Sequence, residues 1–235
     1  MRRRNDISRR QRIAGGSAIV SAILLVIIMI VTQSFAMKNI AGEDVYEITV
    51  HSLATYPVLN WILILAGVFA IILLFSLVEA VDERLRAKKQ KLTTNMARFG
   101  YIHLFSYALY MMLPVAVLHD LANGDIVISE ALEVFRTVME LGLVLSALSG
   151  FFLSLWLMQL GYHSLKTKAF SKPLGYFTIF ISIIVLFSSG YESLYGRGTG
   201  LVIIASILTF LGAFVIWKVW IGVELLRKIK IESET

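Results

Sequence analysis

The stretch that decides the fold is residues 57–98, "PVLNWILILAGVFAIILLFSLVEAVDERLRAKKQKLTTNMAR". From Pro57 to Val78 it carries no charged residue. About 20 consecutive apolar residues suffice for a helix to cross the ~30 Å hydrocarbon layer of a bilayer. From residue 83 onward the character reverses, and six Lys or Arg fall within 83–98. A long uncharged run that ends in a basic connection is the pattern of a membrane helix emerging on the cytoplasmic side.

Working outward, five more segments have the same character: 13–37, 99–120, 139–162, 174–192 and 200–226. With 57–82 they predict an all-α, polytopic bundle of six transmembrane helices. The expected division is a basic tail over 1–12, a membrane domain over 13–226 and a second tail over 227–235. The N-terminal run 13–37 is too long for the ~7–15-residue apolar core of a signal peptide, so it is read as a retained helix. Pro57 and Pro173 open helices, where a missing N–H costs little. Pro114 lies inside the third segment and predicts a kink. Apolar spacing in "ISEALEVFRTVME" (128–140) predicts that the fourth helix begins near 128, beyond the membrane, with Ser129 as its N-cap.

Composition agrees with this layout. The hydrophobic share is 57% and the charged share 16%, against ~45–50% and ~25% in a soluble domain. There are no cysteines, which excludes disulfides, thiolate metal sites and cysteine nucleophiles. The net charge of +6 is concentrated on one side. The N-terminal tail, 83–98, 163–173 and the C-terminal tail together hold 18 Lys and Arg, and the other connections hold three, Lys38, Arg136 and Arg197. By the positive-inside rule both termini are cytoplasmic, in the cell membrane. The basic faces then meet anionic lipid headgroups and not nucleic acid.

Four histidines are the candidate ligands, and His103 and His119 lie 16 residues apart in one apolar stretch. That separation is ~24 Å along a helix and ~160° around it. The two rings are therefore expected at opposite ends of one span, meeting water or headgroups and not sharing a haem. The alternative is a histidine-liganded haem or metal, with His103 near His163 and His119 near His51. On the outer side, His119, Asp120, Glu140 and His51 are the candidate ligands for a divalent metal such as zinc. No haem or metal is otherwise predicted.

Gly142, Ser146, Gly150 and Ser154 recur every fourth residue. Small side chains at that spacing form a groove that a neighbouring helix can enter, in the same chain, a homo-oligomer or a larger membrane complex. On the same grounds Leu153 is placed toward lipid. Trp217 and Trp220 are expected as anchors at the inner headgroups and Trp61 near the outer end of its helix. Glu79, Lys218 and Glu224 lie toward the inner helix ends, where snorkelling accounts for each.

The segment "RRQRIAGGSAIV" (9–20) and the stretch "WLMQLGYHSLKTKAFSKPLGYFTIFISIIVL" (156–186) resemble a bacterial and archaeal membrane family grouped as domain of unknown function 4386. The resemblance implies a six- or seven-helix membrane protein with no established chemistry. It makes Gly161, Pro173 and Gly175 structural positions. There is no phosphate loop, HExxH or GxSxG. The leading expectation is a non-enzymatic bundle serving packing, accessory or assembly roles. The alternatives are the haem or metal protein and a small-solute channel or carrier.

Overall fold

The computed structural model describes residues 2–36, 45–86, 95–195 and 214–227. Among these the regular structure is entirely helical. The helices are α1 (Arg2–Ala36), α2 (Val45–Thr55), α3 (Pro57–Arg86), α4 (Asn95–Met112), α5 (Pro114–Asn123), α6 (Ile128–Thr167), α7 (Lys172–Tyr195) and α8 (Ile216–Leu226). Five stretches are long and apolar enough to cross a membrane: Arg9–Val31, Pro57–Arg86, Met96–Asn123, Ile128–Thr167 and Lys172–Tyr191. The sixth expected span, 200–226, lies largely outside the described residues, and α8 is its C-terminal part.

The bundle is apolar outside and partly polar inside. Ile62, Leu65, Phe69 and Ile72 form an exposed stripe on α3, and Tyr176, Phe180, Ile183 and Phe187 form one on α7. Stripes of this extent on several helices suit a lipid solvent, because a monomer in water rarely exposes them. Ser21, Ser106, Ser149, Ser154, Ser164, Thr178 and Ser182 are meanwhile buried. Ser164 and Thr178 satisfy their hydroxyls on the carbonyl four residues back, at 2.6 and 2.7 Å.

Pro114 interrupts the third span as expected. It has no N–H to offer the Tyr110 carbonyl, and Leu113 N–H takes that carbonyl instead at 3.3 Å. Leu113 keeps helical angles, φ −57° and ψ −41°, so α4 and α5 run on as one bent rod. Gly124 ends α5 with φ 73°, a conformation glycine adopts at no steric cost. The N–H of Asp125 then closes on the Asp120 carbonyl at 2.9 Å. The helix start expected near 128 is found, but its cap is Val127 in extended conformation and not Ser129, which lies inside the first turn.

Two apolar cores result. The larger gathers Ala14 and Ala18 of α1, Leu77 and Val81 of α3, Trp156 and Leu160 of α6, and Trp217 and Ile221 of α8. The smaller joins Val50 and Leu53 of α2, Val117 and Leu118 of α5, and Ala131, Phe135 and Met139 of α6. Residues 45–55 fall between the expected spans 13–37 and 57–82, with no span-length apolar run of their own. There α2 lays Val50 and Leu53 on this second core, with Tyr46 edge-on to Phe135. At 40 residues, α6 is ~60 Å long, and its first turns serve this cap and not the main bundle.

Two helix pairs approach backbone to backbone. A Cβ on Gly15 of α1 would stand 2.7 Å from the Gly222 carbonyl oxygen of α8. A Cβ on Gly161 of α6 would stand 2.8 Å from the Gly175 carbonyl oxygen of α7. Neither carbonyl can retreat without moving its helix.

Candidate functional site

Among the described residues, ionisable side chains enter the bundle at two levels. The first is the end where the basic connections gather. Arg84, near the last turn of α3, is buried. The short link after α6 turns at Lys168, φ 55°, and tucks Ala169 and Phe170 into the core. Arg84 Nε donates to the Ala169 carbonyl at 2.9 Å, another guanidinium N–H donates to the Glu224 carbonyl of α8, and the guanidinium lies 4.6 Å over the Phe170 ring. One side chain thus ties α3, the α6–α7 link and α8 together. The planar guanidinium suits this, since it offers several donors in fixed directions and stacks on a ring. Nearby, Arg10 bridges Glu79 at 3.1 Å and Glu83 at 3.2 Å, and Arg86 bridges Asp82 at 2.9 Å. Glu79 therefore pairs with Arg10 and not with Lys218.

The second level lies deeper. Lys218 is six residues before Glu224, ~9 Å along α8, and has no exposed surface. Its Nζ is 3.4 Å from Ser21 Oγ of α1 and 4.1 Å from the centre of the Phe214 ring. The expected snorkelling does not occur. Lys218 shares its helix face with Ile221, Gly222 and Leu225, which pack inward, and the Gly15–Gly222 crossing brings α1 over it.

His103 meets Phe214 edge-on, with the ring centres 6.4 Å apart, and stacks on Tyr107 at 6.0 Å. Only 5% of it is exposed, so the expected place at a wet helix end is corrected. The reason is that α4 begins at Asn95 and not at 99. The four added residues, Asn95–Arg98, make about one further turn between His103 and the end. Nδ1 is 2.8 Å from Ser149 Oγ and 3.1 Å from the Ser149 carbonyl oxygen. Ser149 thus offers Nδ1 a carbonyl that can only accept and a hydroxyl that can donate or accept. Ser149 precedes His163 by 14 residues on α6, ~21 Å along the axis, which keeps His103 and His163 apart.

His119 behaves differently. It is exposed, with Nδ1 3.1 Å from Asp120 Oδ1 and Asn123 beside the ring. The ~160° separation thus delivers one ring to the core and one to the surface. Glu140 and His51 are also exposed. Among the described residues no group of three His, Asp or Glu is placed to hold a metal ion.

The small-residue series is used within the chain. A Cβ on Gly150 would overlap Ser189 Oγ of α7, and one on Gly142 would stand 3.1 Å from Leu113 Cδ1. Ser154 is buried and Ser146 half-buried. Leu153, expected toward lipid, is 7% exposed and belongs to the main core. Trp217 is no interfacial anchor. It is fully buried, donates its indole N–H to Thr178 Oγ1 at 2.9 Å, and packs edge-on to Trp156. Trp220 and Trp61 are half-buried, Trp220 against Phe177.

No family model, curated protein or solved structure matches this chain.

Proposed function

We propose that the chain is a non-enzymatic, six-span protein of the cell membrane, with both termini cytoplasmic, that binds and carries a small polar solute through its bundle. The observation that carries this is Lys218, an ionisable side chain enclosed among helices whose outer faces are apolar. Charge inside a membrane domain is costly and concentrates where solutes or ions are handled. The buried histidine and hydroxyls around the same level support a polar interior. The 18-to-3 distribution of basic residues supports the orientation. The family resemblance over 156–186 adds support for the membrane class alone.

Two experiments test it. Reporter fusions at residue 90 and at the C-terminus should signal cytoplasm, and fusions at 45, 125 and 197 the outside. A cytoplasmic signal at 125 refutes the six-span layout. Proteoliposomes in stopped-flow swelling, challenged with urea, glycerol, sodium acetate and sodium chloride, should be permeable to at least one. Equal behaviour of protein-free vesicles toward all four refutes the carrier.

An accessory or assembly role is the second reading. Its support is the cap, where Val127, Ile128 and Val134 are exposed apolar residues on the part of α6 that this layout carries beyond the membrane. Copurification after mild cross-linking, compared with Val134→Lys, addresses it.

A further inference from the structure

We propose that Lys218 and Ser21 form a site for a small monovalent anion, of the size of chloride or acetate, enclosed between α1 and α8. The inference rests on the proposed solute-binding role and names the class of solute.

Lys218 lacks a counter-charge among the described residues. An ammonium group has three N–H donors and no acceptor. Its recorded contacts are the Ser21 hydroxyl, at a long 3.4 Å, and the face of Phe214. Among the described residues no carboxylate pairs with it. Glu79 and Glu83 are held by Arg10, Asp82 by Arg86, and Glu224 lies at the level of Arg84. A buried ammonium without a counter-charge is strongly unfavourable, and a bound anion removes that penalty.

The surroundings set the sign and size of the ligand. The other polar groups near Phe214 have partners of their own. His103 Nδ1 lies against Ser149, and Trp217 donates its indole N–H to Thr178 Oγ1. Among the described residues Lys218 is thus the basic group at this level, with the Ser21 hydroxyl beside it, and in its protonated form it attracts an anion and repels a cation. Phe214, its ring centre 4.1 Å from Nζ, and the close α1–α8 crossing favour a small one. Ser21 is itself fully buried, and its hydroxyl can turn from accepting to donating. An anion would take the place of the direct Lys218–Ser21 contact, receiving one hydrogen bond from each.

The crossing also fixes the geometry. Gly15 and Gly222 hold the two backbones together, six residues before Ser21 and four after Lys218. The donors sit one to two turns from a rigid contact, so little ordering is needed when an anion arrives.

The test uses the full chain in phosphatidylcholine nanodiscs. Sodium gluconate is replaced stepwise by sodium chloride or sodium acetate at constant ionic strength, and thermal unfolding is followed by tryptophan fluorescence. A ligand that binds only the folded protein raises the midpoint saturably. Wild type should show this with at least one of the two anions, and Lys218→Met should not. Ser21→Ala, which loses one hydrogen bond to a charged ligand, should need roughly tenfold more anion for half-saturation. A midpoint independent of both anions in wild type overturns the site, as does an undiminished response in Lys218→Met. If Lys218→Met does not fold, an unchanged half-saturation in Ser21→Ala overturns it. Saturable binding without vesicle permeability would keep the site and remove the carrier. Permeability without any anion response would do the reverse.

Discussion

Gly15 and Gly16 are neighbours on α1 with opposite surroundings, and the pair isolates the value of a backbone crossing. A Cβ at Gly15 would stand 2.7 Å from the Gly222 carbonyl oxygen, 3.0 Å from Leu226 Cγ and 3.2 Å from Leu225 Cβ. A Cβ at Gly16 meets nothing within 4 Å. Glycine to alanine in a helix gains about 1 kcal/mol of propensity at either position. At Gly16 that gain stands alone. At Gly15 the nearest atom is backbone, so α1 and α8 must separate by about half an ångström or more to restore ordinary contact. Overpacking of this kind costs about 1–3 kcal/mol. Because both variants carry the same propensity gain, their difference reports the crossing alone. At about 2–4 °C per kcal/mol for a chain of this size, Gly15→Ala should unfold about 2–12 °C below Gly16→Ala. Thermal unfolding in one detergent, read by tryptophan fluorescence, measures this directly. Equal midpoints, or Gly15→Ala the more stable of the two, would refute the crossing.

Three further outcomes are expected. Leu153→Ala leaves a void in the main core and should cost about 2–5 kcal/mol, whereas Leu148→Ala, 42% exposed, should be nearly neutral; paired unfolding curves decide. Arg84→Lys cannot reach both carbonyls as the guanidinium does, and a buried carbonyl left unpaired costs about 1–3 kcal/mol; faster proteolysis at the 168–171 link would report the loosened end, and an unchanged digestion pattern would refute the tie. Gly124→Ala forces a side chain into the left-handed region and should destabilise by about 1 kcal/mol, without affecting Tyr46–Phe135 packing as read by near-ultraviolet circular dichroism.

Hydropathy located the apolar centres of the helices well, and Pro114 marked the bend. It located helix ends poorly, because a helix continues through polar residues once neighbours cover them. α3 runs on through Asp82, Glu83 and Arg84, and α4 starts at Asn95. The added turn of α4 sets His103 further from the helix end, against Ser149 and Phe214. The burial of Lys218 was illegible for a related reason. Distance from the helix end predicted snorkelling, but the direction of the side chain is set by which face α1 covers. That depends on Gly15 and Gly222, which lie 207 residues apart. The small-residue series was visible in the sequence, yet only packing shows that Gly150 lies against Ser189 and Gly142 against Leu113. The cap core was missed because α2 is short and half polar, with no span-length signal.

The length of α6 turns it into a lever. Taken about Gly150, where it meets α7 closely, the helix has arms of ~33 Å toward Ile128 and ~26 Å toward Thr167. A rocking of about 5° would displace the cap end by ~3 Å one way and the link beneath Arg84 by ~2 Å the other. A shift of α2 or α5 against Phe135 and Met139 at the cap would then reach Thr167, at the edge of the Ala169–Phe170 link, through a single uninterrupted rod.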